Sequence, residues 1–260
     1  MAAELPLRGM GILVTRPAHQ AGHLVDLIAA AGGEAILFPT LEILDAADPC
    51  TVNQLIDRLD QFDLAIFISP NAVSKAMPLI RAKRGLPARL AIAAIGRGSR
   101  KELERHGVKQ VIAPPSQFDS EGLLELPELQ DMRGKRVVIF RGDGGREMLG
   151  DALAARGARV EYAECYRRAK PDADAAPLLQ RWARGGVQAV TVTSGESLQN
   201  LVNLLGEAGQ QWLRNTPLFA PHERIAATAR GAGIEQVLAT AAGDEGLVTG
   251  LIEWQRHRKP

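Results

Sequence analysis

Charge of one sign is what this chain lacks first: 31 Lys and Arg stand against 30 Asp and Glu in 260 residues. No global field gathers nucleic acid or a membrane surface, so charge acts only through local pockets. Cysteine is almost missing. Cys50 and Cys165 have no CxxC partner and no His at ligand spacing, which leaves no expected metal site and two thiols read as buried in a reducing compartment. The opening MAAELPLRGMG has no continuous apolar stretch of the signal-peptide kind, and later apolar runs stay well below a membrane span, so a cytoplasmic protein is expected. The glycine-rich RGDGGRE (141–147) contains neither GxGxxG nor GxxxxGK[ST], the spacings that a pyrophosphate cradle requires. Its Arg-Gly-Asp would signal adhesion only in an exposed extracellular loop, and nothing suggests that context. No catalytic triad is visible. His19, His23 and His106 fall in predicted helices, where a solvated or locally bonded imidazole is the default, and only His222 occupies a junction between elements.

What the chain does have is hydrophobic material, 46% of its residues, and an internal repeat. GILVT (11–15) followed by Arg16 answers RVVIF (136–140) followed by Arg141, and DLAIFIS (63–69) answers VQAVTVTS (187–194). Arg16 and Arg141, Gly32 and Gly157, and Ser69 and Ser194 are each 125 positions apart. SEGLLEL (120–126) and DEGLVTGL (244–251) correspond with a shift of 124. Two copies of one module of about 125 residues predict two lobes with ample cores and a small-molecule cleft between them.

Short β-branched runs alternate with amphipathic stretches: ILVT, a helix over 18–31, AILF, a helix over 51–60, LAIFIS, a helix over 71–81, LAIAAI, a helix over 98–106, QVIA. That alternation predicts parallel βαβ units. The near-continuous apolar runs LAIFI (64–68), LAIAAI (90–95) and RVVIF (136–140) suit central strands covered by helices on both faces. Six turns, TRP (15–17), SPN (69–71), GRGS (96–99), RGDGG (141–145), TSGE (193–196) and APHE (220–223), fall where a strand's carboxyl end meets a helix's amino end. Open α/β sheets bind ligands along that edge. FPTLEILDAADP (38–49) and YAECYRRAKPDAD (162–174) break the pattern. They neither alternate as amphipathic strands nor suit stable helices, and read as paired extended connectors with a hinge, closed by prolines.

Arg16 and Arg141 follow strands directly, where a guanidinium can grip a carboxylate or phosphate through two hydrogen bonds; each is equally well read as a surface residue or a structural tie. Ser69, Asn71, Ser99, Thr193 and Ser194 stand at junctions, where capping of the next helix is the plainer role. The same junctions offer free backbone amides and the positive end of a helix dipole, which hold anions without basic side chains. Of only two tyrosines, Tyr162 and Tyr166, Tyr166 lies in the second connector, where its phenol is either a proton donor facing the cleft or an amphipathic packing group.

In this order, ILVTRPAHQAGHLVDLIAAAGGEAILFPTLEI, IFISPNAV, AIGRGSRKELERHG, VVIFRGDGGREMLGDALAARGARVEYAECYRR, VTSGESL and APHERIAATARGAGI resemble the uroporphyrinogen-III synthase family over essentially the whole chain. The resemblance implies two α/β domains with parallel sheets flanked by helices, joined by a two-stranded β connector and facing a cleft. Residues 1–38 with 168–260 would form one domain and 43–162 the other, with 39–42 and 163–167 crossing between them. It implies a lyase that cyclises hydroxymethylbilane to uroporphyrinogen III, inverting ring D through a spiro intermediate with loss of water, and that uses no metal or cofactor. Tyr166 matches the family's connector tyrosine, which assists loss of hydroxide. Thr15, Arg16, Ser69, Asn71, Gly96, Ser99, Arg141, Gly142, Thr193, Ser194, His222 and Arg224 match turn positions that bind substrate. Ser99 replaces a frequent threonine and His222 a frequent serine or glycine. The implied partners are hydroxymethylbilane and a transient handover from hydroxymethylbilane synthase, with no nucleic acid, no membrane and a monomeric chain. Two other readings of the same residues are a non-catalytic bilobal binding protein and, on the RGDGG turn, a nucleotide-dependent transferase.

Overall fold

The computed structural model describes residues 5–145 and 147–258. The first four residues of the N-terminal stretch, Arg146 of the glycine-rich run and residues 259–260 lie outside the described residues. The chain divides into two compact units: Met1–Glu42 with Ala169–Pro260, and Ile43–Arg168. The first unit opens with β1 (Gly11–Val14), α1 (Ala18–Ala30) and β2 (Glu34–Leu37). The chain then enters the second unit through β3 (Glu42–Asp45), α2 (Pro49–Asp57), β4 (Leu64–Phe67), α3 (Pro70–Lys83), β5 (Ala91–Ala94), α4 (Arg97–Arg105), α5 (Ser120–Leu124), β6 (Arg136–Gly142), α6 (Met148–Ala155) and β7 (Arg159–Ala169). It returns to the first for α7 (Ala176–Ala183), β8 (Ala189–Thr191), α8 (Gly195–Arg214), β9 (Leu218–Ala220), α9 (Glu223–Gly231), β10 (Val237–Ala239) and α10 (Gly243–Arg258).

Each unit is a five-stranded sheet, ordered β10-β9-β8-β1-β2 in the first and β3-β7-β6-β4-β5 in the second. The pairings of β1 with β2 and β8, of β9 with β8 and β10, of β4 with β5 and β6, and of β6 with β7 are all parallel. Helices cover both faces, as apolar parallel strands require. In the second unit α2, α3 and α4 bury one face around Phe67 and Phe140, whose rings stack at 4.7 Å, while α5 and α6 bury the other. In the first unit α7, α8 and α9 pack on one face and α1 and α10 on the other.

The repeat is visible in the strand register. Gly11 pairs with Glu34 as Arg136 pairs with Arg159, and Ile12 with Ala189 as Val137 pairs with Leu64. Each correspondence preserves the offset of 125. The centre of each sheet therefore joins the leading βαβ of one copy to the trailing strands of the other.

Four local expectations are corrected. QVIA is no strand: only Ile112 pairs, in a single bridge to Ala93, because Pro114 and Pro115 directly after it supply no amide donors. That bridge is the repeat counterpart of Leu218 with Val237, where β10 does form. LAIAAI is consequently an edge strand. The extended connectors are themselves strands of the second sheet, as β3 and β7, held by backbone pairing that needs no side-chain alternation. Finally, Cys50 is exposed and only Cys165 is buried. Cys50 sits in the first turn of α2, which Asp48 caps and Pro49 begins, and whose inward face is Val52, Leu55 and Ile56.

Candidate functional site

The six strand-to-helix turns all follow the carboxyl ends of parallel strands, and each unit contributes three of them. In the first unit Thr15 is wholly buried, and its hydroxyl donates to the Thr191 carbonyl at 2.9 Å, tying β1 to β8. Thr40 donates back to the carbonyls of Thr15 and Ser197, at 3.2 and 3.0 Å. Arg16 is engaged: its Nη1 lies 2.7 Å from Asp244 Oδ1 in the first turn of α10, and the other oxygen of Asp244 meets His23 Nδ1 at 3.0 Å. Ser194 caps α8 by accepting from the Ser197 amide at 3.0 Å, with Thr193 half-buried before it. A side chain added at Gly195 would meet nothing within 4 Å, so the amino end of α8 is open. His222 caps α9, its Nδ1 accepting from the exposed Arg224's amide at 3.1 Å.

In the second unit the turn after β5 is capped by Gly96, which has no side chain to close it and open space before it. Ser99 lies inside α4 and is 2% exposed, so its hydroxyl faces the interior and not the junction. Asn71 stands half-buried in the first turn of α3. Arg141 is also interior: its Nε donates to the carbonyls of Gly142 and Gly144, at 3.3 and 3.1 Å. Its guanidinium lies over the Tyr162 ring at 4.8 Å, so this arginine braces the RGDGG turn from beneath.

The most organised group surrounds Tyr166. Along β7, Arg141 pairs with Glu164 but Gly142 pairs with Tyr166, so the register shifts there and Cys165 is the extra residue. A β-bulge of this kind re-aims the following side chain. Cys165 and Tyr166 consequently both enter the core beneath α3 instead of facing opposite ways. The phenol oxygen of Tyr166 comes to 3.0 Å from Ser69 Oγ, and the same Oγ accepts the Ala72 amide at 3.0 Å as the cap of α3. The positive end of the α3 dipole thus lies beside the hydroxyl pair and favours any negative charge that develops there. Gly142 makes room for the ring, since a Cβ on it would come within 2.7 Å of Tyr166 Cε2 and Cζ.

Tyr166 and Tyr162 line one cavity of about 190 Å³, together with Asp48, Asp143, Glu164 and Val52. Burial pushes the Tyr162 phenol above its ordinary pKa, partly offset by the Arg141 charge. The first unit has no such group among its described residues. The repeat partner of Tyr166 is the buried Leu41, and Ser194, the partner of Ser69, bonds Ser197 Oγ at 2.9 Å instead. Sequence reasoning singled out Tyr166 and Ser69 separately but not as a pair, and it missed Asp244, Thr40 and the bulge. The only sequence hint of the asymmetry is that the first connector has no tyrosine.

Known proteins share both the sequence pattern and the fold. The family model described as uroporphyrinogen-III synthase HemD matches residues 22–249. The proteins named uroporphyrinogen-III synthase in Salmonella typhimurium and Escherichia coli are 37% and 36% identical over 245 residues, covering 93% of this chain and 100% of each relative. A mutant uroporphyrinogen III synthase from the extremely thermophilic bacterium Thermus thermophilus superposes with a TM-score of 0.63 at 19% identity, over 96% of this chain and 100% of that one. The Helicobacter pylori uroporphyrinogen-III synthetase gives 0.58 at 14% identity, over 94% and 99%. Likeness at those identities speaks for the fold alone.

Proposed function

The chain belongs to the uroporphyrinogen-III synthase family, a family of cyclising lyases in porphyrin and heme biosynthesis, and we propose that Tyr166 is the proton donor with which it closes hydroxymethylbilane. An electron-rich pyrrole expels the hydroxymethyl oxygen: the C–O bond breaks, the ring nitrogen's electrons form an exocyclic double bond, and an azafulvene cation results. Hydroxide leaves as water with the phenol's proton, so one weak acid suffices. Ring D then attacks through its own substituted carbon, giving a spiro intermediate that fragments and recloses inverted. The proton released when the new pyrrole regains aromaticity balances the one the phenol lent.

The strand-end turns take the substrate's carboxylates. Open amino ends at Gly96 and Gly195 present backbone amides to anions. Asn71, Thr193, Ser194, His222 and Arg224 flank those turns, while Thr15, Ser99, Arg141 and Gly142 shape them from within. Arg16 contributes charge already shared with Asp244. Holding the substrate in the geometry of the spiro step is the larger part of the work, because the uninverted type I ring forms without an enzyme. The chain acts as a cytoplasmic monomer that receives its substrate by transient handover from hydroxymethylbilane synthase. No helix among the described residues is long and apolar enough to cross a membrane.

The observation that carries this reading is the re-aimed Tyr166 hydroxyl beside Ser69 at the amino end of α3, on a residue that lines a cavity and has no tyrosine as its repeat partner. Its test is to supply hydroxymethylbilane, oxidise the product and separate the isomers. Type III porphyrin is expected, and slowed formation by Tyr166→Phe with the fold intact supports the donor role. Type I alone, or a Phe variant with unchanged kinetics, refutes it.

A further inference from the structure

We infer that Ser69 is a positioning residue that sets the direction of the Tyr166 O–H bond, acting through the amino end of α3 and not on the substrate; this rests on Tyr166 being the proton donor. The number of hydrogens at the pair decides the direction of the bond. Ser69 Oγ accepts the Ala72 amide at 3.0 Å and lies 3.0 Å from the Tyr166 oxygen. A serine hydroxyl has one hydrogen to give and two lone pairs. If Tyr166 donates to Ser69, the phenol's only hydrogen is turned away from any leaving group. If Ser69 donates to Tyr166, that hydrogen is free, and the phenol oxygen receives a hydrogen bond while its own proton departs.

Only the second arrangement serves a proton donor. It forms a chain from the Ala72 amide to Ser69 Oγ, from Ser69 to the Tyr166 oxygen, and from Tyr166 to the leaving oxygen. Each link polarises the next, and the α3 dipole points the same way. Three backbone features keep the phenol in reach of Ser69: the bulge at Cys165, the missing side chain of Gly142, and the Pro70 start of α3 directly after its cap. The other repeat copy has the capping serine but, with Leu41 in place of tyrosine, no phenol for it to orient, and its hydroxyl turns to Ser197 Oγ.

The experiment is a set of variants assayed for isomer-resolved turnover. Ser69→Ala is expected to lower kcat about tenfold, the rate equivalent of one hydrogen bond, with KM little changed. Ser69→Thr restores most of the rate. Ser69→Asp keeps the helix cap, since aspartate caps as well as serine, yet stays slow because a carboxylate accepts the phenol's hydrogen. In a Tyr166→Phe background, Ser69→Ala costs nothing further. Normal kcat with a raised KM in Ser69→Ala would overturn the inference in favour of direct substrate contact, and so would full additivity of the two changes. Full rate in Ser69→Asp would reduce Ser69 to a cap and overturn it as well. Unchanged kcat in Tyr166→Phe alone would instead remove the donor reading on which the inference stands.

Discussion

Replacing Gly142 by alanine should disable the Tyr166 hydroxyl without touching it. Gly142 is not among the residues with positive φ, so the backbone accepts alanine and the effect isolates one methyl group. That methyl would lie 2.7 Å from Cε2 and Cζ of Tyr166 and 3.1 Å from its hydroxyl oxygen. Carbon atoms rest about 3.5–4.0 Å apart, so the ring must retreat by about 1 Å. A retreat on that scale lengthens the 3.0 Å contact with Ser69 beyond hydrogen-bond range. Overpacking of about 1–3 kcal/mol and a lost hydrogen bond of about 0.5–1.5 kcal/mol together predict a stability loss of roughly 1.5–4.5 kcal/mol. Displacing a reacting group by about 1 Å predicts a loss in kcat on the order of a hundredfold. Urea unfolding reads the first quantity and isomer-resolved turnover the second. Gly195→Ala is the comparator, since its methyl meets nothing within 4 Å, and its stability should stay within about 0.5 kcal/mol of the parent. If Gly142→Ala keeps both its stability and its kcat, the contact between this strand and the phenol does not constrain the site.

Three further outcomes are expected. Gly22 lies exposed within α1 with open space at its Cβ, so Gly22→Ala should stabilise the chain by about 0.5–1 kcal/mol in denaturant unfolding. Thr40→Val removes a buried hydroxyl whose single hydrogen is shared between the Thr15 and Ser197 carbonyls, and should cost about 1–2 kcal/mol in the same measurement. A thiol reagent added to the native protein should modify one thiol quickly, the exposed Cys50, and the second only after denaturation. Burial pushes Cys165 up to about 12. Its folded pKa lies above the unfolded thiol's value of about 8.5, so its contribution to stability is whole below that value and declines as pH rises toward about 12. A Cys165→Ala variant should therefore show less loss of stability than the parent between those limits.

Much of the fold was legible because its signals are local. Apolar runs such as RVVIF specify β-strands, Ser69 at its strand-end junction caps the helix that follows, and the offset of 125 exposes the duplication. The turns were legible for the same reason, as each is a short polar break between two periodic segments. QVIA misled because its composition suits a strand while the two prolines after it deny the pairing. The second connector misled because the extra residue Cys165 breaks the side-chain alternation of β7, although that strand is hydrogen-bonded between β3 and β6. Cys50 misled because composition carries no information about which face of α2 a residue takes.

By itself, the sequence determined the βαβ alternation, the two copies, the strand-end turns and the presence of tyrosine in one connector but not the other. These depend on propensity and periodicity over a few residues, or on comparing the chain with itself. Tertiary structure alone decided what the functional groups touch. Ser69 meets Tyr166 across 97 positions of sequence and Arg16 meets Asp244 across 228, contacts set by strand order and by one extra residue in β7. A one-residue bulge reverses which way a side chain points, and no local pattern records it. The identity of the phenol was therefore written in the chain, while its direction was left to the sheet.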